Sequence, residues 1–332
     1  MAGLQRWLSA TEIQRSKDIA AAASSDSWRH HFVPETYLKR WVASRGGRLQ
    51  YRDLSNGRSG YGAPKSVAHQ PHFYRYASPG EPELWVETHL GRVENDGAVL
   101  LRELDDLPDG QIADRATVSD LAVFVGLQSQ RTPRVRATNV AIEQWNPSGR
   151  DEQSAAIDMT IYTWCAAVVP HLASRSWSLA SSASALITCD EPVVLLGYPG
   201  WTRNRRLSFA TTAILLFPLG PHRLLVAGAA GEHVKVRAPF ELSRAETDAV
   251  NLEIAANSLQ YIYEQDTTDV GAQLSVPPLP EPADNPGGQN IFASTSLPTR
   301  WASLDHPPPW PLSRWVVSTP PLLRAFAARL NW

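Results

Sequence analysis

The sequence contains very few of the residues that build disulfide or zinc frameworks. It has two cysteines in 332 residues, Cys165 and Cys189, and both lie in apolar runs. Two cysteines are too few for a disulfide scaffold or a structural zinc site. We expect each to be a small buried hydrophobic residue in a reduced environment.

Long apolar runs are absent as well. The longest apolar stretches span roughly ten residues, about half of what a membrane-spanning helix requires. The N-terminal segment lacks the continuous apolar core of a signal peptide. These absences predict a soluble, cytoplasmic protein without a membrane partner.

The chain also lacks an excess of charge of either sign. Its net charge is −2, which excludes a globally basic nucleic-acid binder. Of its 31 basic residues only four are lysine. Arginine suits bidentate contacts to carboxylates and phosphates, although a GC-rich genome produces the same bias.

Standard catalytic signatures are missing too. The sequence has no Walker loop, GxGxxG, HExxH, GxSxG or CxxC pattern. No nucleotide or flavin cofactor is therefore indicated, and any site must be assembled from dispersed residues.

What is present is a globular composition, with 43% hydrophobic and 19% charged residues. Helices are predicted at 11–24, 33–42, 83–104, 117–137, 154–177 and 243–265, and strands at 47–54, 185–190, 213–219 and 223–228. Most helices precede most strands, which favours an α+β fold over a βαβ series. We expect a helix-rich body packed on a small, mostly antiparallel sheet.

The C-terminal part differs in composition from the rest. Twelve prolines crowd residues 275–321, and tryptophans recur within and after them. Such a segment has no core of its own, but its aromatic side chains need burial. The predicted organisation is one globular domain at 1–270 and a Pro/Trp-rich extension at 271–332 that wraps over it.

Two glutamates lie beside the apolar row of the predicted 83–104 helix. Glu87 and Glu94 are seven residues apart and share a face, although both also suit a solvated border. Seven residues span about 10.5 Å of helix, so both carboxylates could hardly bind one metal ion.

The predicted 117–137 helix carries a mixed stripe. Phe124, Gln128, Arg131 and Val135 recur at helical spacing, so an amide and a guanidinium interrupt an apolar face. A buried guanidinium needs an anionic partner, and a purely structural Arg–carboxylate clamp is an equal alternative. Pro133 should end or kink this helix.

Histidine and aspartate candidates lie elsewhere in the chain. His30 and His31 come directly before the predicted 33–42 helix, and adjacent residues there point in different directions, so at most one faces a site. Asp190 follows a buried strand in "ITCDEP", a common position for a site residue. A hydrogen-bonded histidine and a turn-initiating aspartate are the structural alternatives.

Several of these dispersed pieces occur in a recognisable order. They are "HHFVPETYL", "FYRY", "VETHLGRVE", "LQSQRTPR", "LITCDEPV", "LLFPLGP" and "NLEIAANSLQYIY". Together, over roughly residues 28–265, they resemble the family catalogued as domain of unknown function 4238. The resemblance singles out His31, Pro34, Tyr37, Tyr74, Glu87, Glu94, Gln128, Arg131, Thr132, Pro133, Thr188, Asp190, Pro192, Pro218 and Asn251. Glu191 departs from the family pattern and adds a second carboxylate beside Asp190.

The leading functional hypothesis is a hydrolase with these residues in one cleft. A divalent ion (Mg, Mn or Zn) is held by His31, Asp190 and one glutamate, assigned as Glu94, and activates water. The substrate is a phosphodiester or another small anion, including a short nucleic acid, because the acidic balance disfavours long DNA.

The other catalytic roles follow from the side chains that remain. Glu87 acts as general base, and Arg131, oriented by Gln128, neutralises charge that develops on the substrate. One alternative is a metal-free tailoring enzyme that acts on a small metabolite or peptide. Another is a binding or sensor module with a structural Arg–carboxylate network. The sequence does not specify an oligomeric state.

Overall fold

A computed structural model describes residues 3–23, 28–43, 46–197, 209, 212–228, 240–280 and 299–304. The predicted α+β class is confirmed. The helices are α1 (Ala10–Ala22), α2 (Glu35–Leu38), α3 (Trp85–Asp105), α4 (Arg115–Gln130), α5 (Pro133–Trp145), α6 (Glu152–Thr163), α7 (Val169–Ala173), α8 (Arg244–Asn257) and α9 (Val270–Gln273). A π-helical segment at Trp164–Val168 joins α6 to α7.

The strands form small sheets that are mostly antiparallel. They are β1 (Arg29–His31), β2 (Leu49–Asp53), β3 (Ser59–Gly62), β4 (His69–Pro71), β5 (Gly110–Gln111), β6 (Trp177–Ser182), β7 (Thr188–Cys189), β8 (Val194–Leu196), β9 (Ile214–Gly220), β10 (Arg223–Ala227), β11 (Glu241–Leu242) and β12 (Tyr261–Gln265). The sheet orders are β1-β4, β11-β6-β10-β9-β8 with β5 beside β6, and β3-β2-β12-β7. The short β11–β6 pair is parallel.

The chain divides into two compact units, and each is discontinuous in sequence. Unit 1 comprises Met1–Lys39, Gly62–Leu107 and Asp114–Ala173, and unit 2 comprises Arg40–Tyr61, Pro108–Ala113 and Ser174–Trp332. The boundary drawn from composition near residue 270 does not appear in this division. The chain passes between the units at 39–40, 61–62, 107–108, 113–114 and 173–174.

Helix α3 runs through the core of unit 1, and its apolar stripe is confirmed. The buried members of the stripe are Val86, Leu90, Val93, Gly97, Leu100 and Leu104. Helix α3 packs against α1 and α4, and its approach to α4 is closest at Gly97. A Cβ atom added there would lie 2.3 Å from the Phe124 ring of α4. Only glycine therefore fits this crossing.

Alanine at this crossing provides a test of the packing. We expect Gly97→Ala to lower the free energy of unfolding by about 1–3 kcal/mol, because the methyl group overpacks the contact. The matched control is Gly91→Ala on the same helix, where an added Cβ meets nothing within 4 Å. The control should be neutral or gain up to about 1 kcal/mol from helix propensity. Equal effects of both substitutions in chemical denaturation would contradict the crossing.

Pro133 acts as predicted. Helix α4 ends at Gln130, and α5 begins at Pro133 with Thr132 as its N-cap, whose side chain accepts a hydrogen bond from the Val135 backbone. Proline suits the first helical position because its missing N–H has no helical partner there.

Unit 2 is built around its two larger sheets and α8. Helix α8 begins with a capping box formed by Ser243 and Glu246. The helix predicted over 243–265 is, however, wrong at its C-terminal end. Helix α8 stops at Asn257, and "YIYEQ" forms strand β12 between β2 and β7. Its aromatic and β-branched residues favour a strand once partner strands are available.

The described part of the C-terminal extension packs within unit 2. Arg300 and Trp301 are buried. The Arg300 guanidinium donates to the carbonyls of Ser258, Leu259 and Pro277, and the Trp301 indole donates to Glu253 at 3.1 Å. Most of the predicted wrapping segment, at 281–298 and 305–332, lies outside the described residues. None of the described helices is long and apolar enough to cross a bilayer.

Candidate functional site

Arg131 lies at the centre of a polar cluster in unit 1. It follows the last residue of α4, and its side chain is almost completely buried. Its guanidinium donates to the Glu94 carboxylate of α3 and to the backbone carbonyl of His31 in β1. Its Nε donates to the Tyr74 hydroxyl at 3.2 Å. Glu94 is thus the anion that the buried charge requires.

Tyr74 connects the cluster to β1. Its hydroxyl donates to the Arg131 carbonyl at 3.2 Å, and its ring lies 5.6 Å from the guanidinium carbon. Its backbone N–H donates to His30 Nδ1 at 2.7 Å. Burial raises the pKa of Tyr74 to about 12, although Arg131 acts against this. The phenol is therefore a neutral donor at physiological pH.

Glu87 lies two turns before Glu94 on α3 and is the unusual carboxylate of the cluster. Its Oε2 is buried and has no hydrogen-bond partner among the described residues. Burial raises its pKa to about 7, with Arg131 opposing and Glu94 reinforcing the shift. Glu87 also acts electrostatically on Tyr74. At neutral pH this carboxyl group both accepts and releases a proton.

Gln128 shares the face of α4 that meets α3. It lies one turn after Phe124, which packs on Gly97, and one turn before Arg131, which pairs with Glu94. Its side chain is buried, and neither its amide nitrogen nor its oxygen has a hydrogen-bond partner among the described residues. A buried amide without partners costs free energy, so this amide is a candidate contact for a bound molecule.

His31 lies at the edge of the same cluster. The two-stranded pairing of β1 with β4 places it opposite His69, with ring centroids 5.5 Å apart. Burial, His69 and Arg131 lower the pKa of His31, so the imidazole is neutral at pH 7. Its Nε2 is buried and unpartnered within the described part of the chain.

Asp190 lies in unit 2, where its side chain holds the connection between α8 and β12. Its carboxylate accepts hydrogen bonds from the backbone N–H groups of Leu259, Gln260 and Tyr261 at 2.7–2.9 Å, and from the Ser258 hydroxyl at 2.9 Å. These residues form the connection from α8 to β12. Burial raises the pKa of Asp190, and Glu191 adds to this, while the backbone donors lower it.

The structure therefore groups some of the predicted residues and not others. His31, Glu87, Glu94 and Arg131 interact directly or electrostatically, and Gln128 lies one helical turn from Arg131. The oxygens of Asp190 are bonded within unit 2. Over the described ranges, no three His, Cys, Asp or Glu side chains are grouped so that they could hold a metal ion.

Two further residues were not assigned a role from sequence. Tyr74 was marked only by the family resemblance, and its hydrogen bonds to Arg131 join residues 57 positions apart in the sequence.

His89 of α3 is buried, and its Nδ1 lies 3.0 Å from the Ser16 hydroxyl of α1. The sequence did contain a signal for the burial of His89, because His89 lies beside Val86 and Leu90 on the apolar face of α3. Burial and Arg92 lower its pKa to about 4.

Comparison with known proteins gives one match. Neither the curated proteins nor the solved structures include a match to the chain. A family model matches residues 29–268, well over half of the chain and nearly the range of the motifs quoted above. The protein therefore belongs to the family described as protein of unknown function DUF4238.

Proposed function

We propose that the cluster around Arg131 is the active site of a hydrolase that acts on a small anionic substrate by acid–base chemistry. Glu87 carries the proposal. Its Oε2 is buried and has no hydrogen-bond partner among the described residues, and its pKa is about 7. A carboxyl group held near neutrality is suited to proton transfer. Strongly shifted acids are also enriched at functional sites.

The remaining side chains supply supporting roles. The ionised form of Glu87 takes a proton from water as the water oxygen bonds to the acyl or phosphoryl centre of the substrate. The bond from that centre to the leaving oxygen breaks, and protonated Glu87 returns the proton to the leaving oxygen. The Gln128 amide, which has a free donor and a free acceptor among the described residues, orients the water or the substrate. Burial keeps the pKa of Glu87 high, with Glu94 reinforcing the shift and Arg131 opposing it, while the neutral Tyr74 phenol and Glu94 hold the Arg131 guanidinium in place.

The proposal assigns no step to a metal ion. The metal-dependent form of the hypothesis uses His31 and Glu94 of unit 1 and Asp190 of unit 2. Elemental analysis of the purified protein tests that form directly. If the wild-type protein contains a stoichiometric divalent metal and His31→Ala loses it, the metal-dependent hypothesis is restored.

A non-catalytic binding or sensor module is the second candidate. Its specific support is that Arg131 is held by three protein groups, which are Glu94, the His31 carbonyl and Tyr74. A structural clamp of this kind needs no substrate. The two candidates differ at Glu87, whose shifted pKa has no purpose in a clamp.

Replacing Glu87 by glutamine is expected to separate stability from activity. The pKa of Glu87 in the folded protein lies above its ordinary value of 4.5, so the folded state binds more protons than the unfolded state between about pH 4.5 and 7. Wild-type stability must therefore fall as pH rises through this window, by on the order of 3 kcal/mol. Glu87→Gln lacks this loss and should be more stable than wild type above pH 7.

Hydrolytic activity should depend on pH in the opposite sense to stability and should rise as the pH rises. A general base must be ionised, so wild-type hydrolysis of generic esters and phosphodiesters should rise with pH through about 7, and Glu87→Gln should lose it by 10²-fold or more. The matched control is Glu103→Gln, an exposed position on the same helix. If denaturation curves from pH 4 to 8 show the same pH slope for wild type and Glu87→Gln, the shifted carboxyl group and the proposal both fail.

A further inference from the structure

His30, at the centre of β1, is a completely buried histidine that contacts the Arg131 cluster from below. Its Nδ1 accepts a hydrogen bond from the backbone N–H of Tyr74 at 2.7 Å. The His30 and Tyr74 rings are stacked, with centroids 5.9 Å apart and planes inclined by 10°. Because Nδ1 is the acceptor, it keeps its lone pair, and the neutral ring carries its proton on Nε2.

Hydrogen bonds continue from His30 through Tyr74 and Arg131 and return to β1. The Tyr74 hydroxyl donates to the Arg131 carbonyl and accepts from Arg131 Nε, each at 3.2 Å. The Arg131 guanidinium then donates to the His31 carbonyl. Two consecutive residues of β1 therefore hold the Tyr74–Arg131 pair, His30 with its side chain and His31 with its backbone.

The members of this ring of hydrogen bonds depend on one another. His30, Tyr74 and Arg131 are all buried, and hydrogen bonds connected in series in a low-dielectric interior reinforce each other. Tyr74 makes two of the contacts that hold Arg131, one at the backbone and one at Nε. A displaced Tyr74 thus loosens Arg131, the cation that acts electrostatically on Glu87.

We infer that His30 is a positioning residue, whose Nδ1 fixes Tyr74 and thereby keeps Arg131 in the place from which it acts on Glu87. The two neighbouring histidines then have different roles, because only the side chain of His30 takes part in this ring of hydrogen bonds. The positioning itself is independent of the proposed function, and only its consequence for hydrolysis rests on that function.

Two substitutions at His30 isolate the acceptor. Asparagine carries Oδ1 at the same bond distance from Cβ as histidine Nδ1 and accepts the Tyr74 N–H, whereas leucine fills space without an acceptor. The matched control is His72→Asn, at an exposed position with φ 55°, a conformation that asparagine tolerates. Thermal melts establish that each variant is folded. If His30→Leu does not fold, His30→Gln, whose acceptor lies one methylene further out, takes its place.

Hydrogen exchange at Arg131 Nε–H measures the positioning directly. The signal is followed by ¹⁵N NMR in the full chain and assigned with Arg131→Lys. Exchange should be about tenfold or more faster in His30→Leu than in wild type, because the contact at Nε is weakened. His30→Asn should stay within about threefold of wild type, because it keeps an acceptor for the Tyr74 N–H. His72→Asn should exchange like wild type.

The pH profile of hydrolysis measures the consequence for Glu87. Arg131 favours the ionised form of Glu87, so a displaced Arg131 raises the pKa of this carboxyl group. With p-nitrophenyl acetate and bis(p-nitrophenyl) phosphate as probes, kcat/KM of His30→Leu should be about tenfold lower than wild type at pH 6. The difference should largely vanish at pH 9, where Glu87 is ionised in both proteins. A loss of packing alone lowers the rate equally at every pH.

The outcomes separate this inference from the proposed function. Equal exchange at Arg131 Nε–H in wild type and folded His30→Leu would overturn the positioning role, and so would exchange in His30→Asn as fast as in His30→Leu. A loss of rate that is the same at pH 6 and pH 9 would overturn the link to Glu87. Faster exchange in His30→Leu, in a protein that hydrolyses neither probe, would support the positioning role and defeat the proposed function alone.

Discussion

Arg131→Met is expected to lower the free energy of unfolding by about 3–5 kcal/mol. The loss arises because Glu94 becomes a buried carboxylate without its cation, and the His31 carbonyl and the Tyr74 hydroxyl each lose a donor. Equilibrium denaturation by urea, followed by tryptophan fluorescence, measures the change.

A double substitution tests this explanation. Arg131→Met combined with Glu94→Leu removes both charges and leaves no unpaired carboxylate, so it should recover a substantial part of the loss. The exposed pair of Arg75 and Glu83 is the matched control, and breaking it should cost no more than about 1 kcal/mol. A loss below about 1 kcal/mol in Arg131→Met would show that the buried pair does not hold α3 to α4.

Asp190→Ala is expected to cost about 3 kcal/mol or more in unit 2. The substitution removes the acceptor of three backbone N–H groups and the Ser258 hydroxyl. Buried donors left without a partner cost about 1–3 kcal/mol each, and partial relaxation of the turn reduces the sum. Asp190→Asn should also destabilise, because its amide places a donor against N–H groups.

The same variant addresses the metal hypothesis. If Asp190 is the acceptor for the α8–β12 connection, Asp190→Asn should lose stability while the metal content stays as in wild type. Asp248→Asn, at an exposed position on α8, is the control and should leave stability within about 0.5 kcal/mol. Wild-type stability together with a reduced metal content would return Asp190 to the ligand set.

Local pattern was sufficient to predict α3 to within two residues at each end and the start of α8, but not the end of α8 at Asn257 or of α5 at Trp145. The apolar period of α3, the capping box at Ser243 and the break at Pro133 each depend on residues within a few positions of one another. Strand β12 was mistaken for helix because "LQYIYEQ" continues a helical apolar period. Its pairing with β2 and β7 comes from residues more than 60 positions away, and this pairing outweighs local preference.

The candidate site also depends partly on local sequence pattern and partly on long-range contacts. Helical spacing alone placed Gln128 and Arg131 on one face and Glu87 and Glu94 on another, and burial of a guanidinium required a carboxylate. Spacing did not specify which carboxylate pairs with Arg131, because Glu94 lies 37 residues away in the sequence.

The amino-acid sequence by itself determined where the long helices run, which polar side chains share their apolar faces, and to which family the chain belongs. Only the tertiary structure decided that Glu94 neutralises Arg131, that the Glu87 Oε2 is buried without a hydrogen-bond partner among the described residues, and that Asp190 caps a turn. The reason is physical. Periodicity acts over a few residues, whereas desolvation, ion pairing and the resulting pKa depend on which distant segments pack around each group.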